Sequence, residues 1–296
     1  MKALILNSGL GHRMGVLTSE HPKCMTELSA GQTILSRQLR LLADAGVQEV
    51  VMTTGYFDKV LVDYCQSLEL PLHITFINNP RYAETNYIYS IYCAREALRD
   101  DDILLMHGDL VFEPSVLEEI VQQKQSCMKV SSTLPLPQKD FKAVVADGFV
   151  KAVGIEFFDH AMEAQALYKL NRADWQVWLD NICAFCEAGQ TNCYAEVALN
   201  QVTETCRIAA YDVKDRLCKE IDTPEDVKAA VQRGLGVAVI SALAVQEELA
   251  AGKLLSFDLD RSGVFRRIYL AWPAGCPLTA AERRFADYVL SHAEGE

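Results

Sequence analysis

The sequence predicts an α/β protein built on a doubly wound, mainly parallel sheet. Three observations lead there. Through the first half, short apolar runs of strand type alternate with longer segments of helical periodicity. Several of these runs close on a turn carrying Gly or Asp: Asn7-Ser8-Gly9, Thr54-Gly55 and Gly108-Asp109. Hydrophobic residues make up 50% of the 296 positions, enough to cover both faces of a sheet with helices. In such folds ligands bind beyond the carboxyl ends of the strands.

The elements follow in order. Ala3-Leu4-Ile5-Leu6 reads as a buried strand and leads into a Gly-rich turn. Residues 34–45 repeat Ile34, Leu35, Leu39 and Leu42 at helical spacing, and Gly46 stops the helix. Strands are predicted over 49–54, 72–77 and 102–107, with helices over 57–67 and 87–98 between them. Asp147-Gly148 between two apolar runs is a two-residue hairpin signal. Helices follow near 172–186 and 195–203. Thr223-Pro224-Glu225 is a capped start for a helix to 232. From Gly234 the texture changes: strands are predicted at 234–240, 254–259 and 265–272, and helices at 245–251 and 279–292. The boundary is placed at Arg233-Gly234, giving a domain over 1–233 and a segment over 234–296.

Charge narrows the function classes. Lys and Arg total 28 against 40 Asp and Glu, a net charge of −12, so the chain repels phosphate backbones and nucleic acid is not the expected partner. No run reaches the length of a membrane span, and no signal peptide is visible, so a cytoplasmic protein is expected. Ten cysteines in such a chain are too sparse for a disulfide framework and are expected reduced.

The segment with most chemistry is Leu6-Asn7-Ser8-Gly9-Leu10-Gly11-His12-Arg13, continuing to Pro22-Lys23. Glycines after a strand let backbone N–H groups turn toward phosphate oxygens. Arg13 adds a forked donor and Lys23 a point charge. The spacing is neither a Walker A loop nor a dinucleotide fingerprint; the competing reading is a solvated surface turn. Asp109 follows an apolar strand and Asp222 precedes a helix. Singly each is a turn former or cap. Beside a triphosphate, the two together suit Mg²⁺, which takes carboxylate oxygens and completes its shell with water and phosphate.

These residues carry a resemblance. The runs from Leu4 to Met14, Pro22-Lys23, Gly108-Asp109 and Glu220-Ile221-Asp222-Thr223 resemble, in order, the sugar-phosphate and phosphocholine nucleotidyltransferases, whose usual opening is GxGxR(L/M) followed by PK. The resemblance spans 1–233 and implies a nucleotide-diphospho-sugar transferase-like fold. Asn78-Asn79-Pro80, the run from Thr85 to Ser90, that from Glu163 to Leu170 and that from Tyr194 to Asn200 resemble the cytidylyltransferases of phosphocholine and 2-aminoethylphosphonate. Asn7-Ser8 stands where the family commonly has Ala-Ala, and Gly15-Val16 where Pro is usual; the phosphate loop survives both.

The resemblance implies a Mg²⁺-dependent enzyme that transfers CMP from CTP to a small phosphate or phosphonate and releases pyrophosphate. By it, Arg13 holds the β- and γ-phosphates, Lys23 the α-phosphate, and Asp109 and Asp222 the metal. Leu6, Ser8, Gly9 and Gly11 face the nucleotide, with Thr85 and Asn86 near the base. Glu163, Tyr168, Tyr194, Glu196 and Glu220 are the matched acceptor candidates, because a cationic amine needs carboxylates or aromatic faces. Core packing is the alternative for each aromatic, and a solvated helix face for Glu196. Lys151 could reach an acceptor phosphate or lie on the surface. A sugar-1-phosphate enzyme using UTP or another nucleotide is the alternative within the family.

Two signals remain. Cys183-x-x-Cys186 has zinc-knuckle spacing but lies in a helical stretch and lacks a second knuckle, so buried helix cysteines are expected. Residues 234–296 resemble the closing part of the effector-binding domain of LysR-type regulators, through Gly234 to Ile240, Glu247 to Leu254, Arg267 to Trp272 and Leu278-Thr279-Ala280. That resemblance covers about a quarter of such a domain and lacks its DNA-binding unit. It implies a fused remnant, with an effector-binding regulatory protein as the alternative.

Overall fold

The computed structural model describes residues 1–9, 20–29, 31–221 and 245–256, with single positions 226, 230, 231, 283 and 284. The chain divides into two compact units, Met1–Gln246 and Glu247–Glu296.

In the first unit the strands are β1 (Lys2–Leu6), β2 (Glu27–Ser29), β3 (Gln32–Thr33), β4 (Glu49–Thr54), β5 (His73–Asn78), β6 (Ile103–His107) and β7 (Leu110–Phe112). They continue with β8 (Cys127–Ser131), β9 (Lys142–Ala146), β10 (Phe149–Gly154), β11 (Ala161–Leu170), β12 (Ala209–Asp212) and β13 (Cys218–Glu220). The helices are α1 (Ile34–Asp44), α2 (Asp58–Ser67), α3 (Tyr87–Leu98), α4 (Pro114–Val121), α5 (Arg172–Glu187) and α6 (Ala195–Leu199). Nine strands form one sheet in the order β5-β4-β1-β6-β11-β8-β12-β10-β9.

The α/β class holds, and the sheet is mixed rather than mainly parallel. Strands β5, β4, β1 and β6 are parallel. Strand β11 then runs antiparallel to β6, β8 and β9, and the β9–β10 hairpin is antiparallel by construction. Strand β11 escaped the sequence reading because Ala, Glu, Gln, Leu and Lys in Ala161–Leu170 are good helix formers. Burial of its last eight residues between neighbours overrides that preference.

Local chemistry explains the helix ends. Thr33 Oγ1 accepts from the Ser36 amide while Ser36 Oγ accepts from the Thr33 amide, a reciprocal cap on α1. Asn86 caps α3, and Pro114 opens α4 at a position that needs no amide proton. The hairpin turn has φ of 53° at Asp147 and 79° at Gly148, the left-handed pair that a two-residue turn of twisted strands requires.

Alternate residues of β1 enter two cores, as the pleat demands. Leu4 and Leu6 join Ile88, Ile91, Trp175 and Trp178 beneath α3 and α5. Ala3 and Ile5 join Leu35, Leu39, Leu61 and Val116 beneath α1, α2 and α4. Both indoles are satisfied, Trp175 Nε1 donating to the Leu98 carbonyl and Trp178 Nε1 to that of Ala195.

The helix predicted over 245–251 is found as Gln246–Ala250 and closes on Gly252 at φ +66°. Leu254, Leu255 and Ser256 are not strand; the rest of the strand expected there, and those expected at 234–240 and 265–272, lie outside the described residues. The Thr223 cap also lies outside, although Asp226, Ala230 and Val231 are helical. Among the described residues no helix is long and apolar enough to cross a membrane. Every cysteine at a described position is a free thiol, and Cys183 and Cys186 lie within α5, Cys186 buried as expected and Cys183 only half-buried.

Candidate active site

Parallel pairing brings three strand ends to one place. Leu6 is in register with Thr53 of β4 and His107 of β6. Past those ends the chains stay tied: the Gly108 amide donates to the Leu6 carbonyl at 3.1 Å, and the Asn7 amide to that of Thr53 at 3.2 Å. Gly55 is glycine for a steric reason, since a Cβ there would lie 2.4 Å from the Ser8 carbonyl oxygen. Backbone cannot swing aside as a side chain can. Gly55→Ala is therefore expected to displace the Ser8-Gly9 turn, with about 1–3 kcal/mol lost from stability and turnover falling further than the melting shift explains. Melting and nucleotide-transfer assays on the same preparation check this; wild-type values in both would contradict it.

The charged groups arrive from separate segments. Pro22, extended at φ −68°, leads into a single 3₁₀ turn at Lys23–Met25. From it the Lys23 ammonium reaches Asp109 Oδ2 at 2.6 Å. Strand β13 pairs with β7 so that Glu220 opposes Leu110, and the Ile221 amide donates to the Asp109 carbonyl. This draws Glu220 to His107, whose Nδ1 lies 2.6 Å from Glu220 Oε1. Burial works to lower the His107 pKa, but the carboxylates of Glu220, Asp109 and Glu196 outweigh it and push it up to about 9.

Ligand atoms of His107, Asp109 and Glu220 all lie within 4.8 Å of one another. Two carboxylates so close suit a hard divalent cation. Among the described residues the buried Ser8 Oγ and His107 Nε2 have no hydrogen-bond partner, which leaves two polar atoms for a ligand to satisfy.

Above these groups is a cavity of about 350 Å³. Leu6, Ser8, Gly9, Thr85, Asn86 and Asp109 line it, so most of the described residues expected at the nucleotide are brought together. Asn79, 1% exposed, braces that side: its Nδ2 donates to Thr85 Oγ1 and Ser90 Oγ. Gly11, Arg13 and Asp222 lie outside the described residues.

The acceptor candidates separate into two groups. Tyr194 and Glu220 line the cavity, with Tyr87 and Phe141. Tyr194 lies 5.8 Å from the Tyr87 ring and 5.1 Å from that of Phe141, centroid to centroid. Glu163, Tyr168 and Glu196 do not line it, and the direct contact expected of them gives way to a supporting position. Glu196 is buried behind the wall and accepts from the hydroxyls of both Tyr87 and Tyr168. Burial raises its pKa and the two phenol hydrogen bonds oppose the rise. Tyr168 is fully buried against Trp178. Glu163 is buried on Lys129, and Gln165 Nε2 donates to its other oxygen at 2.9 Å. Lys151 also stays off the cavity and pairs with Glu204 at 3.3 Å.

Lys139, Asp140, Phe141 and Gln165 line the cavity and were not singled out in the sequence. A signal existed for the first three. Leu134-Pro135-Leu136-Pro137 belongs to a long connection between β8 and β9, and long ordered connections in compact domains are commonly functional.

Comparison with known proteins agrees with this geometry. Residues 3–134 match the family described as the MobA-like NTP transferase domain, and residues 198–294 match the LysR substrate binding domain. Of the second match, the described residues 198–221 include β12 of the main sheet and β13. The CMP-5'-(3-aminopropyl)phosphonate synthase of Streptomyces rubellomurinus is 33% identical over 181 residues, covering 58% of this chain and 28% of that protein. A RuBisCO operon transcriptional regulator of Acidithiobacillus ferrooxidans is 36% identical over 78 residues, 26% of this chain and 25% of that protein. The chain thus spans well under half of either relative. The solved CTP:phosphocholine cytidylyltransferase of Streptococcus pneumoniae shares the fold, with a TM-score of 0.61 at 18% identity over 77% of this chain and 96% of that one. The nucleotidyltransferase resemblance of the motifs is therefore matched by fold and by relatives: residues 3–134 are similar to the MobA-like NTP transferase domain and residues 198–294 to the LysR substrate binding domain.

Proposed function

We propose that the chain is a cytidylyltransferase that moves CMP from CTP to the phosphate or phosphonate oxygen of a small amine-bearing acceptor, phosphocholine or 2-aminoethylphosphonate. One observation carries this reading. Asp109 and the His107–Glu220 pair meet the Ser8-Gly9 turn and Thr85-Asn86 around a single cavity, with Lys23 held behind its lining by Asp109. Tyr87, Phe141 and Tyr194 with Glu220 give its wall aromatic faces and a carboxylate, which suit a cationic amine.

The acceptor oxygen is ionised near neutral pH, so no side chain has to remove a proton from it. That oxygen attacks the α-phosphorus of CTP; a new P–O bond forms as the bond to the α,β-bridging oxygen breaks, and pyrophosphate leaves with that electron pair. The protein contributes position and charge. Lys23 meets the α-phosphate as negative charge builds there, and Asp109 holds the ammonium in place at 2.6 Å. Arg13 holds the β- and γ-phosphates. Asp109 and Asp222 would hold Mg²⁺, which neutralises phosphate charge when bound. Residues 234–296 are read as a fused remnant with no part in transfer. A CTP-consuming reaction goes with the cytoplasmic expectation.

Pyrophosphate release screened over four NTPs and over phosphocholine, 2-aminoethylphosphonate and glucose 1-phosphate tests this. Release is expected to need CTP with an amine-bearing acceptor, favoured at least ~10-fold over UTP. Preference for UTP with glucose 1-phosphate would replace the reading by a sugar-1-phosphate enzyme.

A further inference from the structure

An anionic acceptor faces an electrostatic difficulty in this cavity. Asp109, Asp140 and Glu220 all line it, and like charges repel an incoming phosphonate. The Lys23 ammonium is bonded to Asp109, and the lining His107 is paired with Glu220. Among the described lining residues, Lys139 is the single lysine or arginine. It is exposed, and it makes no ion pair or hydrogen bond with the other described residues.

The segment bearing Lys139 is held down by an unusual anchor. Lys142 opens β9 and is fully buried, yet among the described residues its ammonium bonds no carboxylate. It donates to the carbonyls of Pro137 at 2.6 Å and Asp140 at 3.0 Å, the two positions that bracket residue 139. The Phe158 ring covers it at 4.4 Å. Burying a lysine is costly unless its donors are satisfied. Here that cost goes into fixing one short strap against the cavity.

We propose that Lys139 is the acceptor-anion residue, presented by a strap over 137–141 that Lys142 fixes as a positioning residue. The assignment rests on the cytidylyltransferase reading and deepens it. The amine of the acceptor meets the aromatic and acidic wall, and its phosphonate or phosphate meets Lys139. A lysine ammonium offers three rotatable donors and suits a tetrahedral anion whose oxygens turn toward the nucleotide.

The test uses the full chain with CTP and 2-aminoethylphosphonate, and reads KM for each substrate separately. Lys139→Ala is expected to raise the acceptor KM about tenfold or more, with the KM for CTP within about twofold. Lys139→Arg, which keeps the charge, is expected to recover most of the loss. Lys142→Met is expected to raise the acceptor KM while leaving the CTP value, with circular dichroism checking its fold. Methylphosphonate, which lacks the amine, is expected to inhibit the native chain and to lose that inhibition in Lys139→Ala. If the native chain turns over and Lys139→Ala keeps its acceptor KM and its methylphosphonate inhibition, the Lys139 assignment is overturned and the enzymatic reading stands. If the native chain transfers CMP to neither phosphocholine nor 2-aminoethylphosphonate, the enzymatic reading falls and takes Lys139 with it.

Discussion

Replacing Lys23 by alanine is expected to lower turnover about 100- to 1,000-fold, as loss of one preorganised donor to a developing oxyanion does, while the KM for CTP changes less than tenfold. The ammonium is held 2.6 Å from Asp109 with 12% of its side chain exposed, so it is aimed and partly desolvated before substrate arrives. A charge placed in that way acts most where negative charge increases, which is at the α-phosphorus during bond exchange. On the proposed reading, ground-state affinity for CTP is shared among loop amides and the remaining cations, so it survives the loss better. Steady-state kinetics on the purified variant separate the two effects. Equal losses in turnover and CTP affinity would assign Lys23 to uniform binding instead. Arginine at this position is not expected to restore activity, because its fork would pair with both oxygens of Asp109 and its larger planar head would not place a compact charge on the α-phosphate.

The largest stability effect is expected at Glu163. Its carboxylate is bonded to Lys129, whose side chain has no solvent exposure, and to Gln165 Nε2. Glu163→Ala leaves an ammonium buried without its counter-ion, which costs about 3–5 kcal/mol. For a domain of this size that lowers the melting temperature by roughly 10 °C. Gln165 lies two residues on, with its side chain on the same face of β11, and lines the cavity, so acceptor binding is expected to weaken as well. The double variant Lys129→Met with Glu163→Leu is expected to melt within a few degrees of the native chain, since apolar groups of similar volume commonly replace a buried pair without loss. Thermal melting of the three proteins decides it. A single variant as stable as the native chain would mean that Lys129 finds water or another partner.

How much of this was legible beforehand follows physical lines. The first four strands of the α/β alternation, the Asp147-Gly148 hairpin and the stop at Gly46 were readable because each is a local pattern, set by side-chain period or by the φ that glycine permits. Lys23 and Asp109 were readable as groups on ordered turns because Pro and Gly beside them fix those turns, and the structure brings the two together at 2.6 Å. Strand β11 was not, because its composition favours helix and only the neighbours β6, β8 and β9 make it a strand. Of the five residues expected at an acceptor, two line the cavity. Tyr194 and Glu220 reach the cavity, whereas Glu163, Tyr168 and Glu196 carry the same chemistry and stand one layer behind it.

By itself, then, the sequence determined the fold class, the order of its leading elements and a set of charged and glycine-bearing turns at the strand ends. Tertiary structure alone decided which of those groups share a cavity, which lie buried behind it, and that the strap over 137–141 joins them. The reason is one of range. Periodicity, turn chemistry and caps act over a few residues, whereas the meeting of Lys23 with Asp109, or of His107 with Glu220, depends on strand pairing between segments far apart in the chain.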